Sequence, residues 1–466
     1  MKKKLIAIIC LLTMLLALTA TGCNGNVVAF KRGTPVEVYR SILRGFNKDT
    51  MPIYGYYGPQ DGYEALGYTL PSLITDETFA KMSDAGINVI IENEFDLYED
   101  AETAQEALAL AEKYGMKYFM SVHKAFKTRT AAELSYASVD EVVKIMDDVY
   151  QYESFAGFYF RDEPTMDMYP GMTEAANVFY AAREKSGYDD LNIFVNLFPS
   201  NTTAKQRSNG TDLTNTWEDY IRGGGAIGQD YLMYDFYPLA GGPGNVLSGY
   251  FDSMGTVNRI AKETGKPWIG FAQVGGGTDV FEGSRVPTEG ELNWDVNVTL
   301  AFGSKGIAYY TLVTTKHAGR FGTDTINNDS LLNKFGSKTP FWYYVQKINK
   351  QITAIDHVLM NSAHEGVILQ KENTPCPYNG ADLLSSYRCL KGVSGDASLI
   401  GCFDYEGTVA LLVVNNSLDN DHAQITLEFD DNYAYEIIQR GISDELTGKE
   451  FTLHLATGEC ALVVVQ

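Results

Sequence analysis

Residues 87–126 read INVIIENEF (87–95), DLYEDAETAQEALALAEKYGM (96–116) and KYFMSVHKAF (117–126). An apolar run, a helical stretch closed by Tyr114-Gly115-Met116 and a second apolar run follow one another directly. A glycine just past a helix takes the left-handed conformation that ends it, and here a strand pattern starts at once. The same junction recurs at Ala85-Gly86-Ile87 and Lys305-Gly306-Ile307. Working outward, eight apolar runs alternate with helical patterns: 52–58, 87–95, 117–126, 155–164, 192–200, 230–239, 267–277 and 306–315. Helix starts are marked by Thr75-Asp76-Glu77 and by capping boxes at Ser138-Val139-Asp140-Glu141 and, after Pro287, Thr288-Glu289-Gly290-Glu291. Strand and helix alternating eight times with short connections predict an α/β fold, a parallel (β/α)8 TIM barrel. An open doubly wound sheet rarely extends to eight such units. No GxGxxG follows the first strand, so a dinucleotide site has no support.

After 341–359, the eighth helix, helical periodicity stops and short alternating runs take over at 366–370, 399–403, 408–414, 423–429, 434–438, 451–455 and 460–465. Asn415-Asn416, Asp430-Asp431 and Gly448 separate them, as expected of a C-terminal antiparallel β-sandwich. The expected organisation is a signal peptide over 1–22, a tether over 23–50, the barrel over 51–359 and the sandwich over 360–466. The chain of 466 residues is long enough for both, and 45% hydrophobic against 21% charged residues excludes intrinsic disorder. Its 37 Lys and Arg against 59 Asp and Glu give a net charge of −22. No basic run appears beyond the first four residues, so a nucleic-acid partner is not expected.

Lys2, Lys3 and Lys4 precede an apolar stretch from Leu5 to Leu18, which is short for a bilayer span. The following Leu18-Thr19-Ala20-Thr21-Gly22-Cys23 resembles a bacterial lipobox. The resemblance implies cleavage before Cys23, which is diacylated and becomes the mature N-terminus. The protein would then be a lipoprotein anchored to the cell membrane on the extracytoplasmic face. Removing 1–22 takes three lysines with it and leaves a charge of −25. Cys376, Cys389, Cys402 and Cys460 all lie in the last 91 residues; they could form one or two disulfides, or be buried free thiols. No CxxC occurs and none of the six His is paired at i, i+4, so neither a metal nor a cofactor is expected. A serine-hydrolase elbow, Gly-x-Ser-x-Gly, is also missing.

In such a barrel the chemistry sits at the carboxyl ends of the strands. The most informative end is the fourth, Ala156-Gly157-Phe158-Tyr159-Phe160-Arg161-Asp162-Glu163-Pro164. This stretch resembles the fourth-strand signature of clan A glycoside hydrolases, including the beta-galactosidase-like barrels, where the Glu of an Asn-Glu-Pro or Asp-Glu-Pro triplet is the general acid/base. The outline extends to Tyr54-Gly55-Tyr56-Tyr57 on the first strand and Tyr234-Asp235-Phe236-Tyr237-Pro238 on the sixth. The resemblance implies a carbohydrate substrate, with Glu163 as general acid. Beside Asp162 and partly desolvated, Glu163 would have the raised pKa that this role needs.

Glycoside cleavage needs a second carboxylate, which clan A supplies as a Glu ending the seventh strand. This sequence has Gln273 there, in Trp268-Ile269-Gly270-Phe271-Ala272-Gln273. Asp235 is the first substitute, as base or nucleophile, with a carboxyl expected about 6.5–9.5 Å from that of Glu163 if the route is inverting. Asp162 is the second, working beside Glu163 as the adjacent Asp-Glu pair of barrel hexosaminidases does. Glu92 and Glu94 end the second strand and suit sugar hydroxyls better than direct catalysis; Glu291 is accounted for by its capping box. His123, Asn196, Tyr57, Tyr237 and Gln273 complete the expected sugar-binding set. The competing expectation is a glycan-binding lipoprotein on a degenerate barrel, which the absent strand-seven acid favours.

Overall fold

The computed structural model describes residues 19–20, 26–40, 43–65, 68–92, 96–97, 100–122, 126–127, 135–165, 168–199, 230–242, 244–275, 285–314, 330–370 and 374–466. Eight parallel strands form the barrel: β1 Ile53–Tyr56, β2 Val89–Ile91, β3 Lys117–Ser121, β4 Phe155–Asp162, β5 Asn192–Asn196, β6 Leu232–Tyr234, β7 Trp268–Gln273 and β8 Ile307–Tyr310. They pair in the order β5-β4-β3-β2-β1-β8-β7-β6, and a parallel bridge between Leu197 and Tyr234 joins the two edges. Closure removes the exposed edges that an open sheet would leave.

Strand alternation sorts the side chains into two cores. Tyr54, Tyr56, Phe119, Tyr159, Phe194 and Phe271 fill the barrel interior. Ile53, Ile90, Met120, Phe158, Ile193 and Ile307 face the surrounding helices. Those helices are α1 Asp76–Asp84, α2 Ala101–Lys113, α3 Val139–Val149, α4 Tyr169–Ser186, α5 Tyr250–Thr264, α6 Glu289–Ala301 and α7 Pro340–Met360. Thr75 caps α1, and both expected capping boxes form, Ser138 with Glu141 on α3 and Thr288 with Glu291 on α6. Arg285 adds an ion pair to Glu291 at 2.5 Å, which ties that carboxylate further to the helix start.

The C-terminal region is built from β9 Ser362–Leu369, β10 Leu383–Leu384, β11 Leu390–Gly395, β12 Ser398–Tyr405, β13 Thr408–Asn415, β14 Ala423–Gln439, β15 Ile442–Leu455 and β16 Cys460–Val465. Two expected strands, 423–429 and 434–438, are one 17-residue strand, β14. Asp430-Asp431 sits in an irregularity of that strand rather than in a turn, because both flanks stay paired with β15. The amino half of β14 also pairs with β11 and its carboxyl half with β16, so this strand joins both to one continuous sheet. In β13, Val409, Leu411 and Val413 face a core of the C-terminal region's own, while Ala410, Leu412 and Val414 face the barrel. Trp294 of α6 is fully buried at that junction, its indole N–H donating to Asn416 Oδ1 at 2.8 Å. Cys376, Cys389, Cys402 and Cys460 are buried free thiols, so the disulfide alternative is not realised.

Strand β4 departs from regular pairing twice. Its register against β3 shifts between Tyr118 and Phe119, whose partners are Phe155 and Gly157. Its register against β5 shifts between Phe194 and Val195, whose partners are Tyr159 and Arg161. Gly157 has φ of 138°, and a Cβ there would lie 1.9 Å from the Asn192 carbonyl oxygen. Only glycine fits such a conformation and such a contact. The second irregularity matters for chemistry. Tyr159 points into the barrel, and unbroken alternation would bring Arg161 to the same side; the extra residue brings Asp162 there instead, level with Asn196.

Gly157→Ala is expected to destabilise the fold by about 2–4 kcal/mol, since neither the backbone angle nor the β4–β5 spacing accepts a methyl group. Gly115→Ala is the control: its φ is also positive, 69°, but nothing lies within 4 Å of its added Cβ. It should cost about 1 kcal/mol. Urea unfolding of both variants checks the difference, and equal losses would contradict the close-contact argument.

Candidate active site

The mouth of the barrel collects three carboxyl groups. Asp162 ends β4, Glu163 follows it, and Asp235 follows β6. Consecutive residues on an extended strand point to opposite faces, so Asp162 and Glu163 need a break in the backbone to reach one site. Glu163 supplies it with φ of 42°, a left-handed conformation rare outside glycine and costly for a residue with a side chain. Its N–H still donates to the Asn196 carbonyl at 3.0 Å, so the turn remains anchored to β5.

Asn196 organises the group from β5. Its side-chain amide donates to Asp162 Oδ1 at 3.0 Å and also favours the ionised form of Asp235. Asp162 takes a second hydrogen bond from the Tyr56 hydroxyl, which is itself 2.5 Å from that of Tyr159. Tyr237 donates to Asp235 Oδ2 at 3.3 Å. Burial raises the pKa of Asp162 even so.

Glu163 and Asp235 are hydrogen-bonded to each other. Two carboxylates in contact cannot both be ionised, so they must share a proton. Burial, then the charges of Asp235 and Asp162, push Glu163 far above the ordinary carboxylate range. Asp235 is also raised, by burial and by Asp162, but Asn196, Glu163 and Tyr237 all donate to it and oppose the rise. The proton therefore resides on Glu163, with Asp235 as acceptor. Asp235 Oδ1 has no N–H or hydroxyl partner among the described residues, which leaves an acceptor for that proton.

Aromatic rings wall this group. Tyr310, at the end of β8, lies 5.7 Å from Tyr57 and 5.3 Å from Tyr237 between ring centroids. Tyr57 adopts a left-handed φ of 64°, directly after β1. Of the expected sugar-binding residues, Tyr57, Tyr237 and Asn196 are therefore brought to the carboxyl group. Glu92 is wholly buried, accepting from the Tyr118 hydroxyl at 2.6 Å and closed over by Gly58. Gln273 is also wholly buried: its amide nitrogen donates to the carbonyls of Gly275 and Arg285, and its oxygen accepts from the Leu239 N–H. Such a side chain pins the loops after β6 and β7 together and leaves nothing for a ligand. Glu94 and His123 lie outside the described residues. Tyr310, Tyr56 and Tyr159 were missed by sequence reasoning, although Tyr310 carried the same signal as Tyr57, a tyrosine at a strand end. Among the described residues no cluster of three or more His, Cys, Asp or Glu is arranged to hold a metal ion.

The raised carboxyl has a consequence for stability. A group whose pKa is higher folded than unfolded favours folding fully below its unfolded value, and that contribution is lost as pH rises towards the folded value. Glu163 unfolded titrates near its ordinary value of 4.5, so its cost grows from about pH 5 upward. Glu163→Gln keeps an N–H donor towards Asp235 without the titration. It should raise the melting temperature at pH 8 and change it little at pH 5, by about 2–4 °C for each kcal/mol recovered. Melting curves at both pH values check this; a gain equal at both would contradict the raised carboxyl.

No family model and no curated protein sequence matches the chain. Solved structures do match its fold. The beta-galactosidase from Bacillus circulans sp. alkalophilus superimposes with a TM-score of 0.55 at 7% identity, covering 89% of this chain and 99% of that one. The beta-galactosidase from the psychrophilic Marinomonas ef1 gives 0.54 at 10% identity, covering 89% and 100%. The Anoxybacillus alpha-amylase gives 0.50 at 12% identity, covering 90% and 98%. This chain thus shares with glycoside hydrolases a (β/α)8 barrel followed by a β-rich C-terminal region.

Proposed function

We propose that the protein is a glycoside hydrolase in which Glu163 is the general acid and Asp235 the second carboxylate. One observation carries the reading: Asp162, Glu163 and Asp235 converge in the barrel mouth, where burial and the neighbouring carboxylates raise the pKa of Glu163 while hydrogen bonds oppose the rise at Asp235. A glycosidic oxygen needs just such a proton donor as its bond to the anomeric carbon breaks. When a sugar enters, its glycosidic oxygen takes the place of Asp235 as acceptor of the Glu163 proton. Asp235 is then free to face the positive charge that develops at the anomeric carbon, or to activate water. Asp162, fixed by Asn196 and Tyr56, holds a further negative charge beside the reacting centre. Tyr57, Tyr237 and Tyr310 offer ring faces for a sugar to stack on. The structural neighbours named glycosidases support the substrate class.

The N-terminal sequence supports an extracytoplasmic place for this activity, with the protein held to the cell membrane by a lipid on Cys23. Residues 21–25 lie outside the described part of the chain, and among the described residues no helix is long and apolar enough to cross a membrane. Palmitate labelling of wild type and Cys23→Ala in a bacterial host tests this; equal labelling would remove the anchor.

A second reading, a glycan-binding protein without hydrolysis, is favoured by Gln273, which leaves the end of β7 without an acid. Leaving-group dependence separates the two. Glu163→Gln should lower turnover of unactivated oligosaccharides at least about a hundredfold, the scale of a lost general acid. It should lower turnover of dinitrophenyl glycosides far less, because that leaving group departs without a proton. Asp235→Asn should impair both substrates. Binding of a glycan, measured by calorimetry, with no product from any oligosaccharide or aryl glycoside would support the second reading instead.

A further inference from the structure

Residues 26–36, part of the expected tether, lie along one end of the C-terminal region. The Val28 N–H donates to the Asn432 carbonyl at 2.7 Å, that of Phe30 to the Gln466 carbonyl at 3.2 Å and that of Gly33 to the Gly407 carbonyl at 2.7 Å. The Val36 N–H donates to Asp404 Oδ1 at 3.4 Å. The Phe30 ring meets Tyr433 edge-on, 5.8 Å between centroids, and packs against the region's own core. Gly407 has φ of 84°, and a Cβ there would lie 2.3 Å from the Gly33 carbonyl oxygen, so the two backbones touch. The stretch is a docked arm rather than a free tether.

The arm occupies the floor of the molecule, the end opposite the mouth. Lys305, in the turn before β8, donates to the carbonyls of Leu359 and Ser362, which puts the start of β9 at the floor. Ser362 pairs with Tyr405, so the turn from β12 to β13, with Gly407, is at the floor as well. The Thr408 hydroxyl donates to the Val465 carbonyl at 2.7 Å, which brings Gln466 there too. The mouth end is marked by α6, which follows the carboxyl end of β7 and whose Trp294 donates to Asn416, just after β13. Both ends of β14 lie at that level. Ala423 pairs with Leu455, whose carbonyl accepts from Asn415 Nδ2 at 3.3 Å, and Gln439 pairs with Ala461. The middle of β14, where Asn432 holds Val28, is therefore at the floor, and Ala434 accepts the Gln466 N–H there at 2.9 Å.

We propose that this arm turns the floor towards the anchoring membrane, so that the mouth opens away from it and takes glycans from solution rather than glycolipids embedded in that membrane. The inference rests on the lipid at Cys23 and on the glycosidase reading. Length decides it. Cys23 stands five residues before Val28, a reach of at most about 18 Å. The eight residues of β13 alone separate floor from mouth by about 25 Å. A lipid on Cys23 therefore cannot reach the level of the mouth while the arm is docked. Val27 and Val28 are exposed, at 52% and 39%, and Lys31 and Arg32 are exposed beyond them, a composition that suits an anionic headgroup surface. Asp430 and Asp431 oppose it: both are exposed at the same corner, the former 3.8 Å from Lys391. The lipid, not this face, supplies the affinity.

The test places the full acylated chain in phosphatidylethanolamine–phosphatidylglycerol vesicles that carry an acceptor-labelled lipid. A donor dye is attached through Asp431→Cys, at the floor, or through Asp419→Cys, near Asn416 at the level of the mouth; both positions are exposed and the four thiols Cys376, Cys389, Cys402 and Cys460 are buried. Energy transfer should be strong from the first site and weak from the second. Equal transfer, or the reverse order, overturns the proposal. Phe30→Ala combined with Gly33→Pro removes the ring contact and one N–H donor, frees the arm and should erase the difference. A difference that persists in a folded double variant overturns the part given to the arm. With an oligosaccharide that the wild type cleaves, the anchored protein should hydrolyse the free sugar and lose activity on the same sugar carried by a glycolipid of its own vesicle, while unanchored Cys23→Ala cleaves both. Cleavage of that glycolipid by the anchored protein overturns the proposal. A chain that takes up no palmitate refutes the anchor instead, and no cleavage of any sugar refutes the glycosidase reading while energy transfer still decides the orientation.

Discussion

The pairing of β4 with β5 carries the geometry of the barrel mouth, because Asp162, Glu163 and Asn196 are all placed through it. Gly157 lets β4 approach Asn192 more closely than any side chain would allow. The irregularity beyond Tyr159 then turns Asp162 inward, level with Asn196. Glu163 bends back at φ of 42° and keeps its N–H on the Asn196 carbonyl. Asn196 thereby serves twice, with its carbonyl fixing the backbone of Glu163 and its amide fixing the carboxylate of Asp162. Residues held in sparsely populated backbone conformations persist only where their surroundings overdetermine them, and here the β5 ladder does so.

Crowding three carboxyls behind tyrosines follows from that geometry and has an electrostatic result. Burial penalises each charge, and proximity penalises the charges together, so one proton is retained. The hydrogen bonds are unequal: Asp162 and Asp235 receive donors from Asn196 and from tyrosines, whereas Glu163 is stabilised chiefly in its neutral form. The environment thus divides like groups into a proton donor and anions. Separating the pKa values of neighbouring carboxyl groups is how one site runs acid and base chemistry near neutral pH.

The β-rich C-terminal region acts on this arrangement only through the frame. Strand β13 packs one face into its own core and the other against the barrel, with Trp294 of α6 locked to Asn416. A strand buried on both faces reads as a continuous apolar run, as Thr408–Asn415 does. The contact is an apolar one stiffened by a few buried hydrogen bonds, and it stabilises the barrel without contributing a side chain to the carboxyl group.

The sequence alone determined the elements and their order. Apolar runs, helix-ending glycines and the two capping boxes are local signals, and local physical chemistry is enough to produce them. The barrel, and the strand ends that bring Asp162, Glu163 and Asp235 to its mouth, were therefore legible. Tertiary structure decided which neighbours those residues would have. The carboxyl pairing of Glu163 with Asp235 depends on two register shifts and a left-handed residue, none of which has a period that a sequence reveals. The fates of Gln273 and Glu92 were equally hidden, since a polar residue at a strand end reads the same whether it opens to a ligand or bonds to a loop. Asp430-Asp431 shows the same limit in the β-rich region, where pairing with β15 on both flanks overrode a local preference for a turn. Periodicity fixes which face a residue takes, but contacts between distant segments fix what it meets there.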